Sequence, residues 1–231
     1  MGVLFRQLFE SESSTYTYIL ADSESREAII IDPVIETMER DLELLSQLKL
    51  QLKYILETHV HADHITSGGR LRQKTKAQIV LGEKSKLETA DVLLKDGELL
   101  KCGSLIIKAI ATPGHTDSCT SFYTGSMVFS GDALMIRGCG RTDFQQGSSA
   151  TLFNSVREKL FSLPDDTLVY PGHDYKGRTC SSIREEKEFN PRLNLTKSET
   201  EFSEIMENLN LAPPKKIGVA VPANLKSGLV D

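Results

Sequence analysis

The sequence predicts an α/β fold in which two mixed β-sheets pack together with helices on their outer sides. Two observations indicate this fold: apolar segments with strand character occur in two groups, and helical segments follow each group. Sheets and amphipathic helices each have an apolar face, and stacking them in layers buries those faces in a shared core. Apolar residues make up 39% of the chain and charged residues 26%, which is typical of an ordinary soluble globular protein.

The first group of strands opens the chain. The first ten residues predict a strand, and residues 16–21 and 28–31 predict a hairpin joined by a polar turn. Residues 37–50 have apolar positions at helical spacing and predict an amphipathic helix with Thr37 as its N-cap. The remaining elements of this half are predicted as a strand, a helix and a strand at residues 52–56, 68–76 and 78–81.

The second group predicts another sheet, again covered by a helix. Its predicted strands lie at residues 105–110, at residues 121–132 as a pair joined at Gly125-Ser126, and at residues 168–170. Residues 149–162 predict the covering helix, because their apolar residues fall on one face.

The last part of the chain predicts a short helical extension, at about residues 181–231, of a single domain that spans residues 1–231. Its charged composition and its prolines distinguish it from the preceding strands. Its predicted parts are a helix at residues 181–189, a break at Asn190-Pro191, a helix at residues 198–209 and an extended tail that begins at Pro213-Pro214.

All five histidines fall in three short motifs, and each motif follows an apolar run that predicts a strand. A fourth predicted strand, at residues 127–129, is followed by Ser130-Gly131-Asp132. Turns at strand ends let a rigid sheet present side chains from distant parts of the chain at one point. The sequence therefore predicts that four strand ends converge on one metal site. The motifs are Thr-His-Val-His-Ala-Asp-His with His59, His61 and His64, Thr-Pro-Gly-His-Thr with His115, and Tyr-Pro-Gly-His-Asp with His173.

The side chains in these motifs favour a metal site built from nitrogen and oxygen. Neutral imidazole and carboxylate suit zinc, iron or manganese, whereas a thiolate site would need clustered cysteines. His59 and His61 alternate as strand-end residues do, and Asp63 and His64 are predicted to begin the following helix. A lone histidine in a turn is more often a capping or solvated residue than a ligand, but three such motifs rarely arise together by chance.

Charge and cysteine content exclude several classes of function. The net charge is −5 and the basic residues are scattered, which predicts no nucleic-acid partner and no attraction to an anionic membrane surface. No apolar stretch approaches the roughly 20 residues that span a bilayer. Cys102, Cys119, Cys139 and Cys180 lack paired spacing, which favours a reducing compartment. Cys139, in a glycine-rich turn, is either a packing residue or a reactive thiol.

Longer motifs carry a resemblance to a known family. Residues 58–64, followed in order by His115, Asp132 and His173, resemble the metallo-β-lactamase superfamily and its αββα sandwich. Three further stretches resemble the ethylmalonic-encephalopathy-type persulfide dioxygenases of the glyoxalase II-like branch, and the similarity extends over nearly the whole chain. These stretches are residues 136–146, 170–175 and 190–193.

The resemblance implies one Fe(II) per chain, held by His59, His115 and Asp132. Two histidines and one carboxylate on one face of an octahedral iron leave three positions open, whereas zinc is redox-inert. The implied enzyme oxidises glutathione persulfide with O₂ to sulfite and glutathione in the catabolism of sulfide. The spacing alone permits two metals, because all seven ligand positions of the superfamily's two-metal hydrolase site are filled. In the dioxygenase family that the chain resembles, the other four positions surround the iron ligands. In this sequence they are His61, Asp63, His64 and His173.

Three further residues are candidates for the substrate. Arg141 and Arg192 are predicted to bind the carboxylates of glutathione, because a guanidinium group binds a carboxylate through two hydrogen bonds. Tyr175 is predicted to lie near the thiol end, with its hydroxyl close to the iron. Two structural alternatives stay open: Arg141 braces the glycine-rich turn, and Arg192 pairs with the C-terminal helices.

The resemblance also carries expectations about assembly and cellular context. It implies a homodimer, located in the cytoplasm of a bacterium or, for a mature eukaryotic form, in the mitochondrial matrix. It further implies a functional link to a rhodanese-type sulfurtransferase and to a sulfide:quinone oxidoreductase.

Two other functions stay open at this point. A glyoxalase II-like hydrolase of glutathione thioesters would use two metals to generate hydroxide, but the short region after Asn190 and residues 136–146 argue against it. A non-catalytic sulfur-carrier protein would hold sulfane sulfur on Cys139. A retired enzyme is expected to have lost ligands, and here every ligand position is filled.

Overall fold

The computed structural model of the protein describes residues 2–85 and 87–229. The strands of these residues form two six-stranded sheets. The first sheet contains, in spatial order, β1 (Val3–Glu10), β2 (Thr15–Asp22), β3 (Glu27–Ile31), β4 (Gln51–Leu56), β5 (Gln78–Gly82) and β6 (Val92–Leu94). The second contains β7 (Leu99–Cys102), β8 (Leu105–Ala111), β9 (Thr120–Tyr123), β10 (Met127–Gly131), β11 (Leu168–Pro171) and β12 (Ser181–Ser182).

Both sheets are mixed, and their parallel pairs explain where the helices lie. In the first sheet β3, β4, β5 and β6 run parallel to one another, and parallel pairs need crossover connections. Helices α1 (Met38–Gln47) and α2 (Gly68–Thr75) supply two of these crossovers. In the second sheet only β10 and β11 are parallel, and α3 (Ser149–Asn154) connects them, continuing as a π-helix at Ser155–Leu160.

Three apolar clusters define the layers. The central cluster combines side chains from both sheets, and the Tyr18 and Phe129 rings meet there with centroids 4.9 Å apart. A second cluster lies between the first sheet and helices α1 and α2. The third lies between the second sheet and helices α3, α4 (Ile183–Phe189) and α5 (Glu199–Glu207). This order of layers confirms the predicted αββα sandwich of two mixed sheets between helices.

The C-terminal tail differs from its prediction. Residues after Pro213-Pro214 form helix α6 (Ile217–Asn224) rather than an extended segment. The segment is rich in β-branched residues, contains Gly218 and has Pro222 inside the helix, so its intrinsic helix propensity is low. Burial of Ala220 and Ala223 against the rest of the protein supplies the missing stability.

Three shorter predictions also need correction. Strands β6, β7 and β12 were not predicted, because they are short, and β12 occupies the first two residues of the helix predicted at residues 181–189. Asp63 and His64 lie in a bend, and the helix that they were expected to begin starts only at Gly68. Thr37 occupies the N-cap position of α1, but its hydroxyl donates to the Val34 carbonyl instead of capping the first turn. No helix in the described part of the chain has the length and apolarity that a membrane crossing requires.

Candidate metal centre

The predicted ligands meet at the ends of four strands, as the spacing of the motifs predicts. His59 follows β4, His115 follows β8, Asp132 follows β10 and His173 follows β11. One donor atom from each of His59, His115 and Asp132 lies within 4.8 Å of the other two. The His115 Nε2 and Asp132 Oδ2 atoms are 3.5 Å apart. Three donors at these separations can bind one metal ion.

Hydrogen bonds fix the orientation of the His59 ring. The Thr58 hydroxyl donates its one proton to Asp32 Oδ2 at 2.8 Å, so its oxygen accepts from His59 Nδ1 at 3.0 Å. Nδ1 therefore carries the ring proton, and Nε2 keeps a lone pair for a metal. Burial lowers the pKa of His59 well below its ordinary value, and the neighbouring His61 and His115 lower it further, so the ring is neutral.

His115 is oriented in the same way from the other sheet. Its Nδ1 lies 2.6 Å from the Arg141 carbonyl oxygen, which can only accept, so Nδ1 carries the proton and Nε2 faces Asp132. The Gly140 backbone packs so closely here that an added Cβ would lie 2.7 Å from His115 Nδ1 and 2.8 Å from Asp132 Cβ. The glycine-rich turn at residues 137–141 therefore holds both ligands, and only glycine fits at position 140.

Buried polar atoms without partners indicate that the cluster suits a cation. Asp132 Oδ1, His61 Nδ1 and His64 Nε2 are buried and have no hydrogen-bond partner among the described residues. Native proteins rarely leave such atoms unsatisfied, because each buried and unpaired group destabilises the fold. A metal ion and its bound water would satisfy them. Imidazole and carboxylate donors suit iron, zinc and manganese.

A second group of donors lies beside the first. His61, Asp63 and His173 also have donor atoms within 4.8 Å of one another. His173 Nε2 lies 3.6 Å from Asp132 Oδ1 and 3.6 Å from Asp63 Oδ2, while His64 Nδ1 lies 3.0 Å from Asp63 Oδ2. Burial lowers the pKa of His173, but the carboxylates of Asp132 and Asp63 outweigh it and raise that pKa. The structure thus brings together all the histidines and acids that the motifs single out.

Two buried acids behind the cluster were missed by the sequence analysis. His61 Nε2 lies 3.2 Å from Asp32 Oδ1 and 3.6 Å from Glu57 Oε2. Burial opposes protonation of His61, but these carboxylates raise its pKa well above the ordinary value. Asp32 also accepts the Thr58 backbone N–H at 2.7 Å. The sequence gives little sign of these two acids, since Asp32 merely follows a strand and Glu57 merely precedes the motif.

Asn224 on α6 is a further missed residue. We call residues 57–66, which carry the first motif, the metal loop. Asn224 is 4% exposed, and its Nδ2 donates to the carbonyls of His61 at 2.9 Å and His64 at 2.8 Å. Its Oδ1 accepts the Thr66 N–H at 2.9 Å. Asn224 therefore fixes the backbone of the metal loop, a role hidden by the expectation that this segment is an extended tail.

A cavity of about 600 Å³ opens beside the ligands His115 and Asp132. This volume is within the range of cavities that hold small organic ligands. Arg141, Arg192 and Tyr175 all line it. Hydrophobic lining comes from Leu211, Ala212 and Pro214, and further basic lining from Arg137, Lys176 and Arg178.

The two predicted arginines differ in their existing partners. Arg141 binds the Asp143 carboxylate through Nε at 2.6 Å and Nη2 at 2.7 Å, and its Nη1 donates to the Ala212 carbonyl at 2.7 Å. Arg192 uses only Nη1, which donates to the Cys139 carbonyl at 3.2 Å and contacts its sulfur. Within the described residues, Nε and Nη2 of Arg192 have no partner. Arg141 thus braces its turn, whereas Arg192 keeps N–H groups that are available to donate to a ligand.

Tyr175 and Cys139 lie at opposite depths of the cavity. Tyr175 is 72% exposed at the rim, and its ring stacks on that of His173 with centroids 6.1 Å apart. Cys139 is buried, and its sulfur lies 3.8 Å from Met206 Sδ. Burial raises the pKa of Cys139 to about 11, against the opposing effect of Arg192, so the thiol is protonated at neutral pH. Cys139 therefore packs and is not activated as a nucleophile.

Comparison with known proteins shows the family of the chain. Residues 12–173 match the family described as "Metallo-beta-lactamase superfamily". A human protein named "Persulfide dioxygenase ETHE1, mitochondrial" is 51% identical over 230 residues, covering 98% of this chain and 89% of its own. The crystal structure of ETHE1 from Myxococcus xanthus is 53% identical, with a TM-score of 0.96 over 98% of this chain and 100% of its own.

The likeness to a hydrolase is less extensive. A Schizosaccharomyces pombe protein named "Probable hydroxyacylglutathione hydrolase" is 36% identical over 167 residues, covering 69% of this chain and 64% of its own. The chain therefore belongs to the metallo-beta-lactamase superfamily and, within it, to the family of the persulfide dioxygenases.

Proposed function

We propose that the protein is a mononuclear non-haem Fe(II) dioxygenase that oxidises glutathione persulfide. The observation that carries this proposal is the cluster of His59, His115 and Asp132, in a chain about half identical to proteins named persulfide dioxygenases. When bound by two histidines and one carboxylate, Fe(II) supplies a redox-active centre with positions open to substrate and O₂. One ion per chain is expected.

The overall reaction assigns specific work to the protein. Glutathione persulfide, O₂ and water become glutathione, sulfite and two protons. The side chains therefore have to hold an anionic peptide, admit O₂ and remove protons. His59, which is buried and neutral, and His115, whose Nδ1 faces the Arg141 carbonyl, keep their Nε2 lone pairs for the metal. His61, Asp63, His64 and His173 orient the ligands and bound water, as groups around a metal site commonly do.

Arg192 is the side chain that we propose for a carboxylate of the substrate. It lines the cavity, and its Nε and Nη2 point to no partner among the described residues. A planar guanidinium binds a carboxylate through two parallel hydrogen bonds. Substrate binding by Arg141 remains a prediction from the sequence, but its guanidinium group already forms paired hydrogen bonds with the Asp143 carboxylate. Tyr175, at the rim beside His173, is proposed to contact the substrate near its sulfur end.

The cellular context is also a proposal. We expect a homodimer that acts after a sulfurtransferase of the rhodanese type or a sulfide:quinone oxidoreductase has produced the persulfide. Bacterial cytoplasm and mitochondrial matrix are both consistent with this chemistry, and the human and mouse relatives are named as mitochondrial.

The direct test is oxygen uptake by protein loaded anaerobically with Fe(II). Addition of glutathione persulfide should give rapid uptake with sulfite as product, and a chelator-treated sample should give none. A folded, iron-containing sample that consumes no oxygen would contradict the proposal. Hydrolysis of a glutathione thioester, measured in parallel without oxygen, would then favour the two-metal hydrolase.

A further inference from the structure

A chain of hydroxyl groups connects the metal centre to a carboxylate near the surface. Thr15, at the start of β2, is fully buried, and its Oγ1 lies 2.6 Å from Ser13 Oγ. Ser13 Oγ in turn lies 2.5 Å from Glu10 Oε2. On its inner side Thr15 Oγ1 lies 3.4 Å from His173 Nδ1 and 3.3 Å from His64 Nδ1. None of these hydroxyls has a role in the reaction described above.

The direction of the hydrogen bonds along these hydroxyl groups follows from the Glu10 carboxylate. It accepts the backbone N–H groups of Glu12 at 2.7 Å and Ser13 at 2.8 Å, in addition to the Ser13 hydroxyl. Burial raises the pKa of Glu10, but these hydrogen bonds outweigh burial and the pKa is lowered, so the group is an anion and can only accept. The one proton of Ser13 therefore points to Glu10.

The same count of protons applies to the next hydroxyl. Because the Ser13 proton is used on Glu10, the Ser13 oxygen accepts at 2.6 Å from Thr15. The Thr15 hydroxyl then has no proton to donate towards the metal centre. On that side its oxygen can only accept a hydrogen bond. Asp63 Oδ2, 3.4 Å away, is also an acceptor and cannot supply a proton. The proton must come from Nδ1 of a histidine.

We propose that Glu10, Ser13 and Thr15 form a relay that holds His173, and with it His64, in the tautomer protonated at Nδ1. Thr15 is thus a positioning residue of the metal centre. His64 Nδ1–H has the Asp63 carboxylate at 3.0 Å as an additional acceptor, which agrees with the same tautomer. The inference rests on the proposed function in taking the centre to be the iron site, but its test needs no turnover.

The tautomer of His173 determines whether its Nε2 atom leaves Asp132 free to bind a metal. Protonated at Nδ1, His173 presents an Nε2 lone pair 3.6 Å from Asp132 Oδ1, so it leaves that oxygen free for a metal or its bound water. Protonated at Nε2 instead, it would direct a proton at the carboxylates of Asp132 and Asp63, each 3.6 Å away, and compete with the metal for Asp132. Asp32, Thr58 and His59 form a similar sequence on the opposite side of the cluster, with one hydroxyl between carboxylate and Nδ1 instead of two. Carboxylates that set histidine tautomers are a recurring support of metal sites.

Long-range ¹⁵N–¹H correlation spectra of the full-length chain with labelled histidine would test the relay. The metal-free protein is measured at a pH where the rings are neutral, and only five histidines need assignment. We expect His173 and His64 protonated at Nδ1 in the wild type. In Thr15→Val the acceptor is lost, and in Ser13→Ala the Thr15 proton is released to point inward. Both variants should shift His173 towards Nε2 protonation, and Thr15→Ser should retain the wild-type tautomer.

Iron affinity, measured by competition with a chelator, gives the second readout. Loss of a group that orients a metal site weakens metal binding about 10- to 100-fold, which we expect for Thr15→Val but not for Thr15→Ser. Thr167→Val is the matched control, because Thr167 is a buried threonine whose hydroxyl has no partner within the described chain. It should change neither readout.

Two results would overturn the relay. One is a wild-type His173 protonated at Nε2, and the other is an unchanged tautomer in both Thr15→Val and Ser13→Ala. If Thr15→Val does not fold, Ser13→Ala decides alone, since Ser13 is only half-buried in a turn. Failure of the dioxygenase proposal would appear separately, as a wild-type protein that consumes no oxygen with its expected tautomers intact.

Discussion

The metal loop and the wall of the cavity are held by different kinds of contact. The metal loop is buried and is fixed by hydrogen bonds to backbone groups, above all from Asn224. The cavity wall is formed by residues 135–141, 174–176, 178, 191–192, 211–212 and 214, and it presents long basic and aromatic side chains to an open space. We infer that replacements in the loop alter metal retention, whereas replacements of side chains exposed in the wall alter mainly substrate affinity.

The largest effect is expected when the Asp132 carboxylate of the metal cluster is removed. Asp132→Ala should abolish iron retention, because Asp132 is the only acidic member of the cluster with His59 and His115. His61→Ala should leave appreciable iron bound while impairing turnover. Iron content by elemental analysis and oxygen uptake measure the two effects. Equal loss of metal in both variants would indicate a two-metal site instead.

A smaller but clear effect is expected at the support of the metal loop. Asn224→Leu should lower the free energy of unfolding by about 1–3 kcal/mol and weaken iron binding, because two carbonyls and one N–H lose buried partners. Denaturant unfolding and chelator competition measure these changes. Val219→Ala, at a 65% exposed position of the same helix, is the control and should change neither. An Asn224→Leu variant with normal iron affinity would show that Asn224 does not support the metal site.

The cavity wall should respond in substrate affinity. Arg192→Ala should raise the KM for glutathione persulfide about tenfold, the effect of losing roughly 1.4 kcal/mol, while iron content stays at the wild-type level. Arg192→Lys should restore little, since a lysine cannot form the paired contact. Arg141→Ala should act differently, lowering stability through loss of its contacts with Asp143 and Ala212. An unchanged KM in Arg192→Ala would contradict its assignment.

The smallest effect is expected at the buried thiol of the wall. Cys139→Ser should leave persulfide turnover nearly unchanged, because the thiol is protonated and packs against Met206. Steady-state oxygen uptake is the measurement. Loss of turnover with iron still bound would support a sulfur-carrying role for Cys139.

Most of the site could be predicted because its signals are local. Each histidine motif lies directly after a strand, so apolar runs and spacing suffice to place His59, His115, Asp132 and His173 together. The supports of the site could not be found in this way. Thr15 lies far from the motifs in sequence, and it reaches the centre only because the start of β2 bridges the backbone at His173. Asn224 lies on a helix whose stability comes from packing rather than from its own residues.

Iron stoichiometry combined with spectroscopy can decide whether the protein holds a single redox-active iron. Anaerobic titration of metal-free protein with Fe(II), followed by binding of nitric oxide and electron paramagnetic resonance, reports both the number and the kind of sites. We expect saturation at one iron per chain, with the signal of an isolated ferrous nitrosyl centre that disappears in Asp132→Ala. Saturation at two irons per chain, with magnetic coupling between them, would contradict a mononuclear site.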